Sequence, residues 1–352
     1  MKSFRKLCQL LAAILLTTVA SAQVVNGDLN HNGRLDVDDV TRLIDGYVSD
    51  SPEYIDGGAY FNGATNMRHR LRVLSIGNSK SEDTFFYVPQ LMQSVCEDVD
   101  LTIGIAYYSS ASLKTHSELL AKDTTAYVYY KSQPGKVWNW EQNVSLKRII
   151  QDEDWDIVLL QETMMKQNDY ATYQPYLNDI LDYVQQYAVH GVRLGWMMTP
   201  ALANCLLERA GMTLSSDEYF EGVVACCQRV LAETPVGFVV PVGTAVQNAR
   251  HNEELGQLGD EGELTFDQVH AQEGVPRMIE AYTMVITLLQ EMNIPKSIWG
   301  NQKIVSEEWL NNGGIVAAKW MRKGNIVGTK ENYSEAQRCA IMATKFPFNI
   351  SE

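Results

Sequence analysis

The sequence predicts an α/β protein in which a parallel sheet lies between two layers of helices. Short apolar runs that favour strands alternate with segments in which apolar residues recur at helical spacing. The strand-like runs are 73–76, 101–108, 155–160, 192–198 and 237–242, and the last helix of the series covers 275–289. Parallel strands need a helical crossover between them, so this alternation favours a three-layer sheet with a flavodoxin-like strand order.

The first segment, residues 1–22, has the composition of a secretory signal peptide. Lys2, Arg5 and Lys6 precede an apolar stretch, and a small-residue cleavage site ends at Ala22. That stretch is too short to span a bilayer comfortably, and no later window is apolar enough to do so. We therefore expect an exported protein without a membrane span, located outside the cell, in the periplasm or on the cell surface.

Residues 24–48 contain the oxygen-rich pattern of a calcium-binding loop, with Gly33 placed for the sharp turn. The candidate ligands are Asp28, Asn30, Asn32, Asp36 and Asp39 through their side chains and Arg34 through its carbonyl oxygen. Calcium takes about six to eight oxygens, which this alternation supplies. We therefore expect one structural Ca²⁺ in this loop. For catalysis we expect no cofactor. A solvated acidic turn is the alternative interpretation.

The same loop, followed by a short amphipathic helix at 40–48, resembles one repeat of a dockerin. That resemblance implies a cohesin-like partner, although dockerins normally carry two such repeats and the sequence has no second loop. Residues 49–70 are rich in Ser-Pro, Asp-Gly and Asn-Gly turns, which predicts a linker. The large α/β domain then covers 71–295, and 296–352 form a C-terminal helical extension.

Two smaller features complete the outline of the large domain. Segments 127–131 and 137–141 flank a Gln-Pro-Gly turn, which predicts an inserted β-hairpin. Five cysteines follow the signal segment, an odd number without a regular spacing, so we expect mostly buried thiols and at most one bridge. They are Cys96, Cys205, Cys226, Cys227 and Cys339.

Ser79 lies where the first strand-like run of the large domain ends, in the sequence Gly77-Asn78-Ser79. Capping residues from Ser81 onward, followed by apolar residues at helical spacing, predict a helix directly afterwards. Ser79 is therefore expected in a tight turn beside a helix N-terminus, where peptide N–H groups favour developing negative charge. The alternative is an ordinary polar turn of an α/β protein.

A second candidate feature lies far along the chain, where Asp267 precedes His270 by three residues. In a tight turn this spacing lets the carboxylate accept a hydrogen bond from one ring nitrogen and fix the tautomer. The other ring nitrogen is then available to take a proton from a serine. Ser79, His270 and Asp267 are therefore the candidate nucleophile, base and orienting acid.

Gly77-Asn78-Ser79 early in the chain and Asp267-x-x-His270 late follow the order found in the SGNH (GDSL-like) hydrolases. The chain resembles that superfamily over roughly residues 70–295. The segment 241–250, Pro-Val-Gly-Thr-Ala-Val-Gln-Asn-Ala-Arg, is similar to one in a branch whose first block also has Gly-Asn-Ser. The resemblance implies a serine esterase that forms an acyl-enzyme on Ser79.

The resemblance also implies an oxyanion hole, for which the candidates are the Ser79 N–H, the Ser110 N–H and the side-chain amide of Gln161. The sequence departs from the superfamily pattern here. Ser109 and Ser110 stand where the superfamily has a Gly after the second strand, and Gln161 is near the place of an Asn after the third. Lys80 follows the serine where the branch usually has an aromatic residue.

The charge balance narrows the class of partner. The formal net charge of −14 becomes more negative when the signal segment is removed, which argues against nucleic acid or an anionic membrane as a partner. The resemblance and the dockerin-like repeat imply an acylated, especially acetylated, carbohydrate as substrate. Two alternatives stay open: a non-catalytic binding or scaffold protein, and a lipid-type esterase with a wide apolar cleft.

Overall fold

The computed structural model describes residues 60–62, 66–96, 98–134, 138–294 and 327–351. The chain divides into two compact units, 1–70 and 71–352. In the first unit, β1 (Tyr60–Asn62) pairs antiparallel with the start of β2 (Asn66–Gly77). The predicted signal segment and calcium loop, and most of the predicted linker, lie outside the described residues.

From β2 onward the chain alternates strands and helices, as the sequence predicts. The further elements are α1 (Ser79–Phe85), α2 (Val88–Val95), β3 (Val99–Tyr107), α3 (Leu113–Ala121), β4 (Tyr127–Ser132), β5 (Asn139–Val144), α4 (Leu146–Ile150), β6 (Ile157–Leu160), α5 (Tyr176–Tyr187), β7 (Arg193–Met197), α6 (Asn204–Arg209), α7 (Ser216–Glu233), β8 (Phe238–Val240), α8 (Val242–His251), α9 (Val275–Glu291) and α10 (Lys330–Lys345).

The strand order is β5-β4-β3-β2-β6-β7-β8. β2 pairs parallel with β6, β6 with β7, and β7 with β8, so their carboxyl ends lie at one edge of the sheet. β3, β4 and β5 pair antiparallel, which places the predicted hairpin at the other side of the sheet. Without that hairpin the order is the flavodoxin-like one, and the α/β class predicted from the sequence is confirmed.

Successive residues of the central strands face two separate cores. Val73 of β2 and Leu159 of β6 belong to one core, whereas Leu74 and Leu160 belong to the other. Helices α2, α8, α9 and α10 contribute to the first core, and α5 and α7 to the second. Strands buried on both faces are continuous apolar runs, which is why these segments could be recognised in the sequence.

Helix α9 lies inside the structure, and every residue from Val275 through Leu289 is buried. It packs against α1, α2, α8 and α10, and α10 belongs to the predicted C-terminal extension. A helix that is buried on all sides must pair its polar residues within the protein. Arg277 and Glu280 are such residues, and their partners are described below.

Three observations refine the sequence predictions. The first helix begins at Ser79 instead of after Ser81, and residues Phe86 and Tyr87 separate it from α2. Cys96, Cys205, Cys226, Cys227 and Cys339 are all free thiols. Within the part of the chain that the structure describes, no helix is both long and apolar enough to cross a membrane.

Candidate active site

Ser79 is the first residue of α1, at the carboxyl end of β2. Asn78 caps the helix, since its Oδ1 accepts a hydrogen bond from the Lys80 N–H at 3.0 Å. The Ser79 N–H is one of the first N–H groups of the helix and has no acceptor among the described residues. The hydroxyl and this N–H therefore lie together at a helix N-terminus, where negative charge is favoured.

The structure brings Ser79, His270 and Asp267 together. His270 Nε2 lies 2.9 Å from Ser79 Oγ, and His270 Nδ1 lies 2.7 Å from Asp267 Oδ2. The other carboxylate oxygen of Asp267 accepts from the Val269 N–H at 3.1 Å and from the His270 N–H at 2.7 Å. Asp267 thus fixes both the turn that carries the imidazole and the imidazole itself.

The protonation states in this group follow from its contacts. Burial would raise the pKa of Asp267, but hydrogen bonds from the backbone and ring of His270 hold that pKa below its usual range. An ionised carboxylate only accepts hydrogen bonds, so His270 donates from Nδ1–H and its Nε2 is left to accept from the Ser79 hydroxyl. The imidazole is 16% exposed, so the pair is reached from solvent.

Asn78 joins two strand ends and a loop. Its Oδ1 also accepts from Gln161 Nε2 at 2.7 Å, and its Nδ2 donates to the carbonyl of Ala111 at 2.9 Å. Gln161 Oε1 in turn accepts from the Ser81 hydroxyl at 3.1 Å. The amide of Gln161, a candidate oxyanion donor from the sequence, is therefore occupied by two contacts within the protein.

Ser110 lies in the loop that follows β3, and its φ of 54° is in the left-handed region. Glycine adopts this conformation without strain, whereas an L-residue such as serine is strained in it. The Ala111 contact to Asn78 ties the loop to the turn that carries Ser79. The Ser110 N–H has no acceptor among the described residues, and the residue is exposed.

Two residues in this region were not singled out from the sequence. Asn78 was part of the Gly-Asn-Ser motif, and an Asn directly before a helix is a signal for a cap.

Glu162 is fully buried after β6, where its Oε1 accepts from the N–H groups of Leu113 at 3.2 Å and Thr163 at 2.6 Å. Its Oε2 has no partner among the described residues, and burial raises the pKa of Glu162 to about 7.

In the described part of the chain, no three acidic, histidine or cysteine side chains are placed to hold a metal ion together. The predicted calcium ligands between Asp28 and Asp39 lie outside that part.

Comparison with solved structures supports the fold. A DUF4886 family protein from Bacteroides uniformis ATCC 8492 superposes with a TM-score of 0.62 at 19% identity, over 80% of this chain and 98% of that chain. Two other solved structures are less similar to this chain. A candidate SGNH hydrolase from Slackia heliotrinireducens has 17% identity and a TM-score of 0.42, over 62% of this chain and 100% of that one. A catalytic mutant of an acetylxylan esterase from Geobacillus stearothermophilus has 15% identity and a TM-score of 0.37, over 64% of this chain and 95% of that one.

Sequence comparison gives the family. No curated protein matches the chain. A family model described as a domain of unknown function, DUF4886, matches residues 72–309. The match covers more than half of the sequence, including Ser79, Asp267 and His270. The chain therefore belongs to the DUF4886 family.

Proposed function

We propose that the protein is an exported serine esterase that hydrolyses acyl esters, especially acetyl esters of carbohydrates, through an acyl-enzyme on Ser79. The observation that carries this proposal is the hydrogen-bonded chain from Ser79 Oγ to His270 Nε2 at 2.9 Å and from His270 Nδ1 to Asp267 at 2.7 Å. Nucleophile, base and orienting acid in this geometry are the arrangement that activates a serine for acyl transfer.

In the first half of the reaction, Ser79 Oγ attacks the ester carbonyl carbon while its proton passes to His270 Nε2. Asp267 stabilises the imidazolium that forms and keeps the ring in place. The carbon–oxygen bond to the alcohol then breaks, and the alcohol leaves with the proton from His270. In the second half, His270 takes a proton from water as the water attacks the acyl carbon. The bond from that carbon to Ser79 Oγ then breaks, His270 returns the proton to Oγ, and the acid leaves.

Negative charge develops on the carbonyl oxygen in both tetrahedral intermediates, and it needs hydrogen-bond donors. The two N–H groups without an acceptor, those of Ser79 and Ser110, are the donors that the proposal assigns. Gln161 contributes through Asn78, which joins the turn of Ser79 to the loop of Ser110. In this proposal Gln161 positions the oxyanion hole without touching the substrate.

The substrate class and the location rest on the sequence. The resemblance to SGNH hydrolases and the dockerin-like repeat both favour a small acyl group on a carbohydrate, and the signal segment favours export. A structural calcium ion at residues 28–39 and a cohesin-like partner belong to the same proposal. Catalysis itself requires only Ser79, His270, Asp267 and the N–H groups.

One observation favours a second candidate function, a non-catalytic binding or scaffold protein. The side chain that stands in for the superfamily's oxyanion amide, Gln161, is buried and already used by Asn78 and Ser81. An oxyanion hole with two backbone donors would stabilise the negative charge less than one with three donors would. A protein that had lost catalysis would bind an acylated ligand without turning it over.

Hydrolysis of p-nitrophenyl acetate, compared with longer acyl esters, separates these functions. We expect turnover of the acetate, a fall in rate with acyl length, and a loss of about 10⁴- to 10⁶-fold in Ser79→Ala. Ser117→Ala is the matched control, because that hydroxyl donates to Asp179 away from the site and its loss leaves the rate unchanged. No turnover by the wild type, or equal rates for wild type and Ser79→Ala, would reject the esterase.

A further inference from the structure

Five charged side chains lie buried beneath the candidate site, and none takes part in the proposed chemistry. They are Lys80, Asp83, Glu273, Arg277 and Glu280, each at most 4% exposed, and we call them the buried charge cluster. Buried charges are costly unless they are paired, so their contacts must be specific. Lys80 and Asp83 belong to α1, the helix that begins with Ser79, and Arg277 and Glu280 belong to α9.

The cluster connects these two helices directly. Lys80 Nζ lies 3.0 Å from Asp83 Oδ2 and 3.3 Å from Glu280 Oε1, and Arg277 Nη2 lies 3.2 Å from Asp83 Oδ1. The Thr84 hydroxyl donates to Glu280 Oε2 at 2.6 Å. Burial alone would lower the pKa of Lys80 and raise that of Asp83, but their mutual attraction shifts both the other way. Both groups are therefore charged at neutral pH.

Asp83 and Arg277 also bind the backbone N–H and carbonyl groups of a single residue, Ala271. Asp83 Oδ2 accepts from the Ala271 N–H at 3.2 Å, and Arg277 Nε donates to the Ala271 carbonyl at 3.0 Å. Ala271 is 6% exposed and directly follows His270. Asp83 is one helical turn from Ser79 on α1, so the same carboxylate is attached to the nucleophile's helix and to the base's loop.

We propose that Asp83 and Arg277 are positioning residues that set the distance between His270 and Ser79 by clamping Ala271. The proposal rests on the esterase function of Ser79 and His270. A guanidinium is suited to this task, because its Nε–H donates to the Ala271 carbonyl in a fixed direction while Nη2 of the same planar group pairs with the Asp83 carboxylate. A displacement of about 1 Å between reacting groups can cost about a hundredfold in rate, so a rigid clamp at the adjacent residue affects catalysis.

Arg277→Lys tests this clamp. A lysine keeps the positive charge beside Asp83 but has a single ammonium group, which cannot also hold the Ala271 carbonyl with the same geometry. We expect kcat for p-nitrophenyl acetate to fall about ten- to a hundredfold while KM stays within about twofold. If Arg277→Lys does not fold, Asp83→Asn tests the same contact, because an NH2 group then replaces one of the two carboxylate oxygens that accept from the Ala271 N–H and face Arg277 Nη2. For this variant too, we expect kcat to fall while KM stays within about twofold.

Thr84→Val is the matched control within the same helix. The substitution keeps the branched shape and removes the hydrogen bond to Glu280, which belongs to the cluster but does not contact Ala271. We expect it to lower the thermal unfolding temperature while kcat per folded molecule stays within about twofold. Equal losses of kcat in Thr84→Val and Arg277→Lys would mean that the cluster acts only on stability, and the proposal would fall.

A second readout does not depend on turnover. The chemical shifts of the His270 ring, measured by NMR at one pH, should differ from those of the wild type in Arg277→Lys and match them in Thr84→Val. Unchanged chemical shifts in Arg277→Lys, or a folded Arg277→Lys with kcat within about threefold of the wild type, overturn the positioning role. A wild type that hydrolyses no ester instead rejects the esterase and this proposal with it. The two failures are thus distinct.

Discussion

Gln161 Nε2 donates to Asn78 Oδ1 at 2.7 Å, so a buried amide at the end of β6 fixes the residue that precedes the candidate nucleophile. The same glutamine accepts from the Ser81 hydroxyl, and that hydroxyl lies 2.9 Å from Ser75 Oγ. The turn between β2 and α1 is therefore supported from within the sheet. Any change that moves Gln161 should move Ser79 through Asn78.

Gly77→Ala tests this dependence. A Cβ at position 77 would contact the Ser81 hydroxyl and come within 2.8 Å of the Gln161 side-chain Cδ, closer than normal packing permits. We expect a loss of about 1–3 kcal/mol in the free energy of unfolding and a fall in kcat at unchanged KM. Urea denaturation and p-nitrophenyl acetate hydrolysis measure the two effects.

The control is Gly191→Ala, because a Cβ there meets no atom within 4 Å. That variant should match the wild type in both measurements. Equal stability and activity for Gly77→Ala would mean that the glycine is not required for the position of Gln161, and the indirect role of Gln161 would be wrong.

A second prediction concerns Ser110 and its φ of 54°. This conformation costs an L-residue about 1 kcal/mol and costs glycine nothing, so Ser110→Gly should keep activity and be the more stable of two paired variants. The other is Ser109→Gly, in the same exposed loop, where glycine only adds freedom to the unfolded chain. The free energies of unfolding of Ser110→Gly and Ser109→Gly, measured by thermal unfolding, should differ by about 1 kcal/mol. The reverse order would contradict the left-handed conformation of Ser110.

Much of the fold could be predicted because the main signals are local. The buried run at 155–160 became β6 (Ile157–Leu160), and the hairpin on either side of Gln-Pro-Gly became the antiparallel strands β4 and β5. The break between α1 and α2 was not predicted. Both helices carry apolar residues at the same spacing, so the sequence pattern continues across the break.

The candidate site was predictable only in part, for a physical reason. Ser79, Asp267 and His270 stand in short motifs with a known chemistry, so their residue types and order were informative. The contacts of Asn78 are different, since they join residues 33 and 83 positions away. Lys80 and Glu280 are 200 positions apart, and no local pattern indicates such a pair.

A third prediction concerns residues 24–48, which lie outside the described residues. The predicted loop would bring the carboxylates of Asp28, Asp36 and Asp39 together, where they would repel each other unless a cation neutralised them. Calorimetry on the full chain should therefore detect calcium binding, and magnesium should substitute poorly because it accepts fewer oxygens. Ester hydrolysis should not depend on the ion. No heat with calcium, or binding that survives Asp28→Ala combined with Asp39→Ala, would contradict the predicted site.

The last prediction follows from the buried carboxyl group of Glu162, whose pKa burial raises to about 7. Between the usual glutamate value of 4.5 and about 7, the folded chain keeps a proton that the unfolded chain has lost. The free energy of unfolding therefore falls as pH rises through this window, by an amount on the order of 3 kcal/mol. Glu162→Gln cannot ionise, but its oxygen still accepts from Leu113 and Thr163.

We therefore expect Glu162→Gln to be more stable than the wild type at pH 8 and equal to it, within about 1 kcal/mol, at pH 5. Urea denaturation at the two pH values measures the difference. Glu118→Gln is the control, because Glu118 is 55% exposed and its pair with Lys114 contributes little, so the variant should follow the wild type at both pH values. A loss of stability in Glu162→Gln at pH 8 would contradict this expectation, because it would show that the two N–H groups require a charged acceptor.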